Sequence, residues 1–473
     1  MDFCYFDYES SDSRVDFGQV LEFSFVHTDS NFNILNKKEL KCRLKSNVVP
    51  SIGAMLVNNI SPKMLTNAKL SHYELVMENY NWFQKLSPIY FTGFNITSFD
   101  IEFYRRMLFK NLIPNWYQTN TNGNKIHDVL PQVRAAKFIN RNVIATKLNE
   151  KGNDSFKLQD LSEVGNFNHG VSHSSLVDCL NTIEVSKKIK EGTPELWNAS
   201  LKSAHRTDVE LIIGNEKIFT AFEFFYGKLK PFVQKHLFYH KPFRWSICWD
   251  LKHDPKDYIN LSKEELANEL QKTPKKTRTF KQNKNNVIMK KDLGLNYEPY
   301  AQIGLKEILN RAKTLDENPN FAHSVSIIME NLAKEKIENN QIEPFLEETL
   351  YKGGLNISDK DKKNMELFHK SDLSGKLSIV EKFTEERYAY FAKCIIYEEY
   401  SKNELPKNLF NEMHRHFAKR LTSLNNEKWE TFASFAKECD DHREKYKDNP
   451  SKLKILDEYD SYVEEMKLKF ENA

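Results

Sequence analysis

Met1-Asp2-Phe3-Cys4-Tyr5-Phe6-Asp7-Tyr8-Glu9 opens the chain and decides how the rest is read. Its apolar and aromatic run predicts a buried strand. Because strand side chains alternate between faces, Asp7 and Glu9 point one way while Phe6 and Tyr8 point the other. Two like charges side by side repel, so a same-face pair at the end of an apolar strand calls for a shared proton or a counter-charge. A divalent metal ion is the most direct counter-charge. The plainer alternative is an edge strand whose acids sit in water.

With 473 residues, 40% hydrophobic and 12% aromatic, the chain is long enough for two or three domains and apolar enough to fold. Its 69 basic side chains nearly balance 66 acidic ones, so bulk charge does not mark a nucleic-acid binder and any such footprint must be locally segregated. Met1 leads straight into the first strand, with no basic leader and no apolar span, which predicts a cytoplasmic protein away from membranes. Cys4, Cys42, Cys179, Cys248, Cys394 and Cys439 are scattered and form no Cys-x-x-Cys pair. Neither a structural zinc site nor a disulfide framework is expected.

Alternation predicts a second strand over Val20 to Thr28, a turn at Asp29-Ser30-Asn31, and a third strand from Ile34 and Leu40 to Leu44. Ser61-Pro62 reads as a helix start, Leu75 to Leu86 as a helix, and Pro88 to Phe94 as a short buried strand. After a loop from Asn95 to Phe99, Asp100 opens an amphipathic helix carrying Phe103, Met107, Leu108 and Leu112. Asp100 thus lies just beyond a strand end, where mixed sheets gather ligands, but an Asp there also suits a helix N-terminus as a cap. Ser155 to Leu161 reads as a short helix. Beyond Gly165 and Gly170, Leu176, Leu180 and Ile183 form a helical stripe that places His173 at the mouth of a helix and Asp178 about a turn inside. Alone, His173 reads equally as a surface or capping residue.

Asp7-x-Glu9 on a first strand, Asp100 after a fourth, and His173 with Asp178 on a late helix resemble the DEDD exonuclease superfamily in its histidine form. Phe6-Asp7-Tyr8-Glu9, Thr28-Asp29-Ser30-Asn31-Phe32-Asn33, Ile60-Ser61-Pro62, Gly93-Phe94-Asn95 leading to Phe99-Asp100, and Ser155-Phe156-Lys157-Leu158 are similar to the bacterial exonuclease I family. Weaker matches continue through Trp249-Asp250-Leu251, Gln282-Asn283-Lys284, Asp316-Glu317-Asn318-Pro319 and Tyr351-Lys352-Gly353. The resemblance implies an α/β fold: a ribonuclease H-like exonuclease domain with a mixed sheet over residues 1–192, an SH3-like β-barrel domain over 193–350, and a helical C-terminal domain over 351–473. It further implies a monomeric 3′→5′ exonuclease that degrades single-stranded DNA to 5′-mononucleotides in DNA repair and recombination. Asp7, Glu9, Asp100 and Asp178 would hold two Mg²⁺ ions, with Mn²⁺ able to substitute, and His173 would take the proton from the attacking water. Glu9 and Lys157 would also touch the substrate. Ser10-Ser11, Ser98 and Ile101 depart from the family pattern, while the five catalytic positions are kept.

This chemistry suits the residue types, because phosphodiester hydrolysis needs a hydroxide and a counter-charge on the leaving oxygen, which two divalent ions about 4 Å apart supply. Hard oxygen ligands select Mg²⁺ or Mn²⁺.

From about Glu191 the sequence turns to aromatic strands, Ile218 to Tyr226 and then Trp245 to Asp250. Lys272, Lys275, Lys276, Arg278, Lys281, Lys284, Lys290 and Lys291 follow with no acid among them. Such a segment is either a solvated loop or a track for a nucleic-acid backbone, with Arg278, Lys281 and Lys284 on phosphates and Phe280, Tyr297 and Tyr300 near enough to stack on bases. The resemblance adds a third reading, docking of the acidic C-terminal tail of a single-stranded DNA-binding protein. Residues 355–473 carry apolar stripes amid mixed charge and predict a helical bundle. Two other functions are weighed. An exoribonuclease on the same catalytic domain has no need of the large C-terminal half, and a non-catalytic strand-binding adaptor would be favoured by a missing carboxylate, of which there is none.

Overall fold

A computed structural model describes residues 1–167, 169–170, 174–241, 243–338, 343–352 and 356–471. Strand β1 (Phe3–Ser10) is the middle strand of a five-stranded mixed sheet in the order β3-β2-β1-β4-β5. β2 (Val20–Thr28) pairs antiparallel with β1, and β3 (Ile34–Lys41) antiparallel with β2. β4 (Tyr90–Gly93) runs parallel to β1, and β5 (Lys125–Asp128) parallel to β4. A central strand is buried on both faces, which is why β1 is apolar almost throughout. Cys4, Phe6 and Tyr8 enter one core and Phe3 and Tyr5 another.

Helices α1 (Ile52–Asn58), α2 (Pro62–Asn67) and α3 (His72–Leu86) link β3 to β4, and the hydroxyls of Ser51, Ser61 and Ser71 cap them in turn. α4 (Asp100–Lys110) joins β4 to β5, and α5 (Val129–Ile139) follows with Asp128 as its cap. α6 (Leu158–Gly165), α7 (Ser175–Gly192), α8 (Pro194–Lys202) and α9 (Arg206–Glu216) complete this part. The helix expected from Ser155 begins only at Leu158, because Lys157 before it is still extended, with a ψ of 136°, and the Ser155 amide is bonded across to Lys147 O at 2.8 Å.

Where the SH3-like barrel is expected, β6 (Ile218–Phe225), β7 (Lys228–Tyr239), β8 (Ser246–Asp250), β9 (Thr277–Phe280) and β10 (Ile288–Lys290) form an antiparallel sheet in the order β10-β6-β7-β8-β9. The basic segment therefore departs from the solvated-loop reading: it supplies β9 and β10 to this sheet. α10 (Lys263–Gln271), α11 (Lys291–Gly294), α12 (Tyr300–Glu317) and α13 (Pro319–Glu338) surround it, and Trp249, Tyr300, Ile308 and Phe321 share its core.

α14 (Asp359–Lys370), α15 (Leu373–Val380), α16 (Glu386–Glu399), α17 (Lys407–Leu421), α18 (Phe432–Lys445) and α19 (Pro450–Leu468) form the helical end of the chain. Their core is continuous with that of the first sheet, as where Phe391 meets Phe109 edge to face at 4.9 Å. The Glu438 carboxylate accepts from Ile52 N at 3.0 Å and Gly53 N at 3.3 Å, so an acid of α18 satisfies the open amides at the start of α1. Among the described residues no helix is long and apolar enough to cross a membrane.

Candidate active site and metal centre

The face of β1 that carries Phe3 and Tyr5 into the core continues outward to Asp7 and Glu9, and α7 crosses it there. The start of α7 is fastened to β2 by Glu22, whose Oε1 accepts from Ser175 N at 3.0 Å and Ser175 Oγ at 2.7 Å. Asp178, one turn further on, is thereby aimed at β1. Ligand oxygens of Asp7, Glu9 and Asp178 lie within 4.8 Å of one another. Asp100 approaches from the end of β4, its Oδ1 accepting from Tyr8 N at 3.1 Å. The residue expected as a cap is thus tied to β1, while Phe99 holds the N-cap position of α4 with no side-chain hydrogen bond.

Two carboxylates at this separation repel by roughly 3 kcal/mol at an effective dielectric of about 20. Burial first and neighbouring acids second push all four upward: Glu9 to about 9, Asp100 to about 8, Asp178 to about 6, and Asp7 well above its ordinary range. For Asp7 the strongest charge influence is Asp100. An all-oxygen set that resists ionising on its own fits a hard divalent cation, which would relieve the repulsion.

Glu22 is a fifth buried acid that the sequence reading passed over; it lies opposite Glu9 across the β1–β2 ladder, and its Oε2 pairs with Lys41 at 2.9 Å. A Glu inside Val-Leu-Glu-Phe-Ser-Phe-Val was the available signal, since a charge in a buried strand needs a partner. The ladder shifts register between Glu9 and Ser10, a bulge of the kind that re-aims side chains beside sites.

The proton acceptor expected at His173 lies outside the described residues. Lys157 is exposed at the position preceding α6. The expected phosphate track is rearranged. Arg278 lies over the Phe232 ring at 3.8 Å and pairs with Glu223 at 3.2 Å and Asp250 at 3.4 Å, because β8 buries Asp250 completely and that charge needs cations. Lys284 donates to Thr97 O at 2.6 Å, and half-buried Lys281 sits 4.4 Å over the Trp245 ring. Phe280 and Tyr300, expected to stack on bases, are core residues, and the Tyr300 hydroxyl donates to Asp250 at 2.6 Å. Tyr297 packs on Phe138 at 4.7 Å.

A mixed sheet with four carboxylates gathered beside its central strand offers an all-oxygen set that fits divalent metal, and residues 5–186 match the family described as Exonuclease (RNase_T). Along its length the chain is similar to exodeoxyribonuclease I. It is 25% identical to exodeoxyribonuclease I of Haemophilus influenzae over 98% of both chains. To the same protein of Buchnera aphidicola (subspecies Baizongia pistaciae) it is 26% identical over 55% of each. The chain spans about half the length of the three Buchnera relatives it matches, 55%, 51% and 45%. In fold it resembles Escherichia coli exonuclease I in complex with a dA16 oligonucleotide, with a TM-score of 0.81 at 19% identity over 98% of this chain and 99% of that one. Exonuclease I from Methylocaldum szegediense gives 0.81 at 18% identity with the same coverage, 98% and 99%.

Proposed function

We propose that the chain is a 3′→5′ exonuclease that releases 5′-mononucleotides from single-stranded DNA in repair and recombination. One observation carries the reading: Asp7, Glu9 and Asp178 present oxygens within 4.8 Å of one another in a chain similar to exodeoxyribonuclease I over 98% of its length. The DNA substrate is supported by that relative's name and by the oligonucleotide in the Escherichia coli complex.

Asp7, Glu9, Asp100 and Asp178 would hold two Mg²⁺ ions, with Mn²⁺ able to replace them. When bound, such ions make a hydroxide available near neutral pH and balance charge on the leaving 3′-oxygen. The protein supplies the placement. β1 sets the spacing of Asp7 and Glu9, Tyr8 N orients Asp100, and Glu22 fixes the start of the helix that carries Asp178. His173, two positions before Ser175, is assigned the proton of the attacking water, a role suited to an imidazole with an ordinary pKa of about 6.5. Glu9 would also meet the terminal nucleotide, and Lys157 and Lys281 the strand. The exposed Lys272, Lys275 and Lys290 are the proposed seat of an acidic tail from a single-stranded DNA-binding protein. Division at residues 192 and 350, a cytoplasmic location and a monomeric state belong to the same proposal.

Purified chain with Mg²⁺, given matched end-labelled DNA and RNA oligonucleotides in single- and double-stranded form, tests it. Mononucleotide release from the 3′ end of single-stranded DNA is expected. Cleavage confined to RNA would move the assignment to an exoribonuclease, and no cleavage of any strand would remove it.

A further inference from the structure

Asn285 lies in the loop joining β9 to β10, yet its side chain is buried in the first part of the chain, 3% exposed. Its Oδ1 accepts from Asp128 N at 2.8 Å and Gln132 Nε2 at 3.1 Å, and its Nδ2 donates to Ser200 O at 3.2 Å and Ser203 O at 3.1 Å. All four hydrogen-bonding positions of the amide are therefore used. Its φ of 48° is in the left-handed region that Asn tolerates better than most residues.

What Asn285 holds is one step from the site. The Asp128 carboxylate, 1% exposed, accepts from Asn95 N at 2.9 Å, Thr97 N at 3.0 Å and Thr97 Oγ1 at 2.7 Å. Lys284 closes the other side of the same loop by donating to Thr97 O at 2.6 Å. The loop is bonded in turn to the first turn of α4, through Ile101 N to Ile96 O at 3.0 Å and Phe103 N to Phe99 O at 2.9 Å. Between those bonds stands Asp100. The end of β4 lies hard against both β1 and this loop: a Cβ on Gly93 would come within 2.7 Å of Phe6 O and closer still to Ile96 Cγ2, so only glycine lets the strand end approach there.

We propose that Asn285 and Lys284 are positioning residues for the reaction, by which the β9–β10 loop, through Asp128 and Thr97, fixes where Asp100 stands relative to Asp7 and Glu9. The second sheet then does more than bind a strand, because the metal centre is completed only while its loop is docked. Outer partners of metal ligands commonly carry about tenfold or more in affinity or rate. The inference rests on the reading of Asp100 as a metal ligand.

The test uses the full chain with Asn285→Ala, Lys284→Met and Lys284→Arg, measuring Mn²⁺ affinity by electron paramagnetic resonance, kcat and KM on a single-stranded oligonucleotide, and melting temperature. Expected are Mn²⁺ binding weakened about tenfold in Asn285→Ala and less in Lys284→Met, with kcat reduced alongside, KM little changed, and Lys284→Arg restored toward wild type. Wild-type Mn²⁺ affinity and kcat in variants that only melt earlier would overturn the proposal and leave a purely structural tie. So would a raised KM with unchanged metal affinity in Lys284→Met, which would mark Lys284 as a strand contact. Should Asn285→Ala fail to fold, the two Lys284 variants decide alone. A wild-type chain that neither binds Mn²⁺ nor cleaves would instead undo the nuclease reading itself.

Discussion

The backbone N–H of Tyr8, the residue separating Asp7 from Glu9, donates to Asp100 Oδ1 at 3.1 Å. One peptide group thus spaces two acids along a strand and holds a third that is distant in sequence. Because the donor is main chain, side-chain substitution at Asp100 separates orientation from charge.

Asp100→Asn keeps an acceptor for Tyr8 N and removes the charge. Cleavage should be nearly abolished while far-UV circular dichroism and melting temperature stay close to wild type. A rate equal to wild type would remove Asp100 from the metal set.

Divalent metal should stabilise the fold, since the carboxylates repel without it and ligand binding to the native state adds about 2.7 kcal/mol at a hundredfold excess over Kd. Melting temperature should rise with added Mg²⁺ and fall with a chelator. The rise should disappear in Asp7→Asn/Asp178→Asn, and its persistence there would place the ion elsewhere.

His173→Ala should lower turnover by about two or more orders of magnitude, the scale of a lost general base, with Mn²⁺ affinity kept. Loss of affinity in place of turnover would make His173 a ligand.

Arg278 serves the second sheet, so Arg278→Gln should cost about 2 kcal/mol or more of stability by leaving Asp250 short of a cation. The salt dependence of binding to long single strands should be unchanged, whereas each lost phosphate contact would lower the slope by about 0.7. Equilibrium unfolding and binding titrations at several salt concentrations decide between the two.

Burial beside Trp197 pushes the His127 imidazole down to about 3, and its Nε2 meets Ser200 Oγ at 2.8 Å. The unfolded chain takes up this proton near its ordinary pKa of about 6.5 and the native state does not. Stability from this group is therefore present above about 6.5 and lost at about 1.4 kcal/mol per pH unit as pH falls toward 3. Unfolding free energies from pH 7 to 4 should show a slope shallower by about one proton in His127→Asn, and identical slopes would mean that the native ring already carries the charge.

Local pattern was enough for β1 and for the acids it carries: alternation alone puts Asp7 and Glu9 on one face, and the stripe of Leu176, Leu180 and Ile183 places Asp178 inside a helix. The family motifs carried the order of the carboxylates. Glu22 showed in the sequence only as a charge inside an apolar strand and Asn285 not at all, because their partners lie 153 and 157 positions away. The partners of Arg278 were hidden for a related reason: a basic run reads as solvated until the pairing of β8 with β9 sets it beside buried Asp250 and Phe232. Periodicity and capping are set by neighbours within a few residues and so are written into the sequence. Which buried charge meets which counter-charge is decided only when the packed sheets remove water and leave each polar group to the partner that the fold has brought beside it.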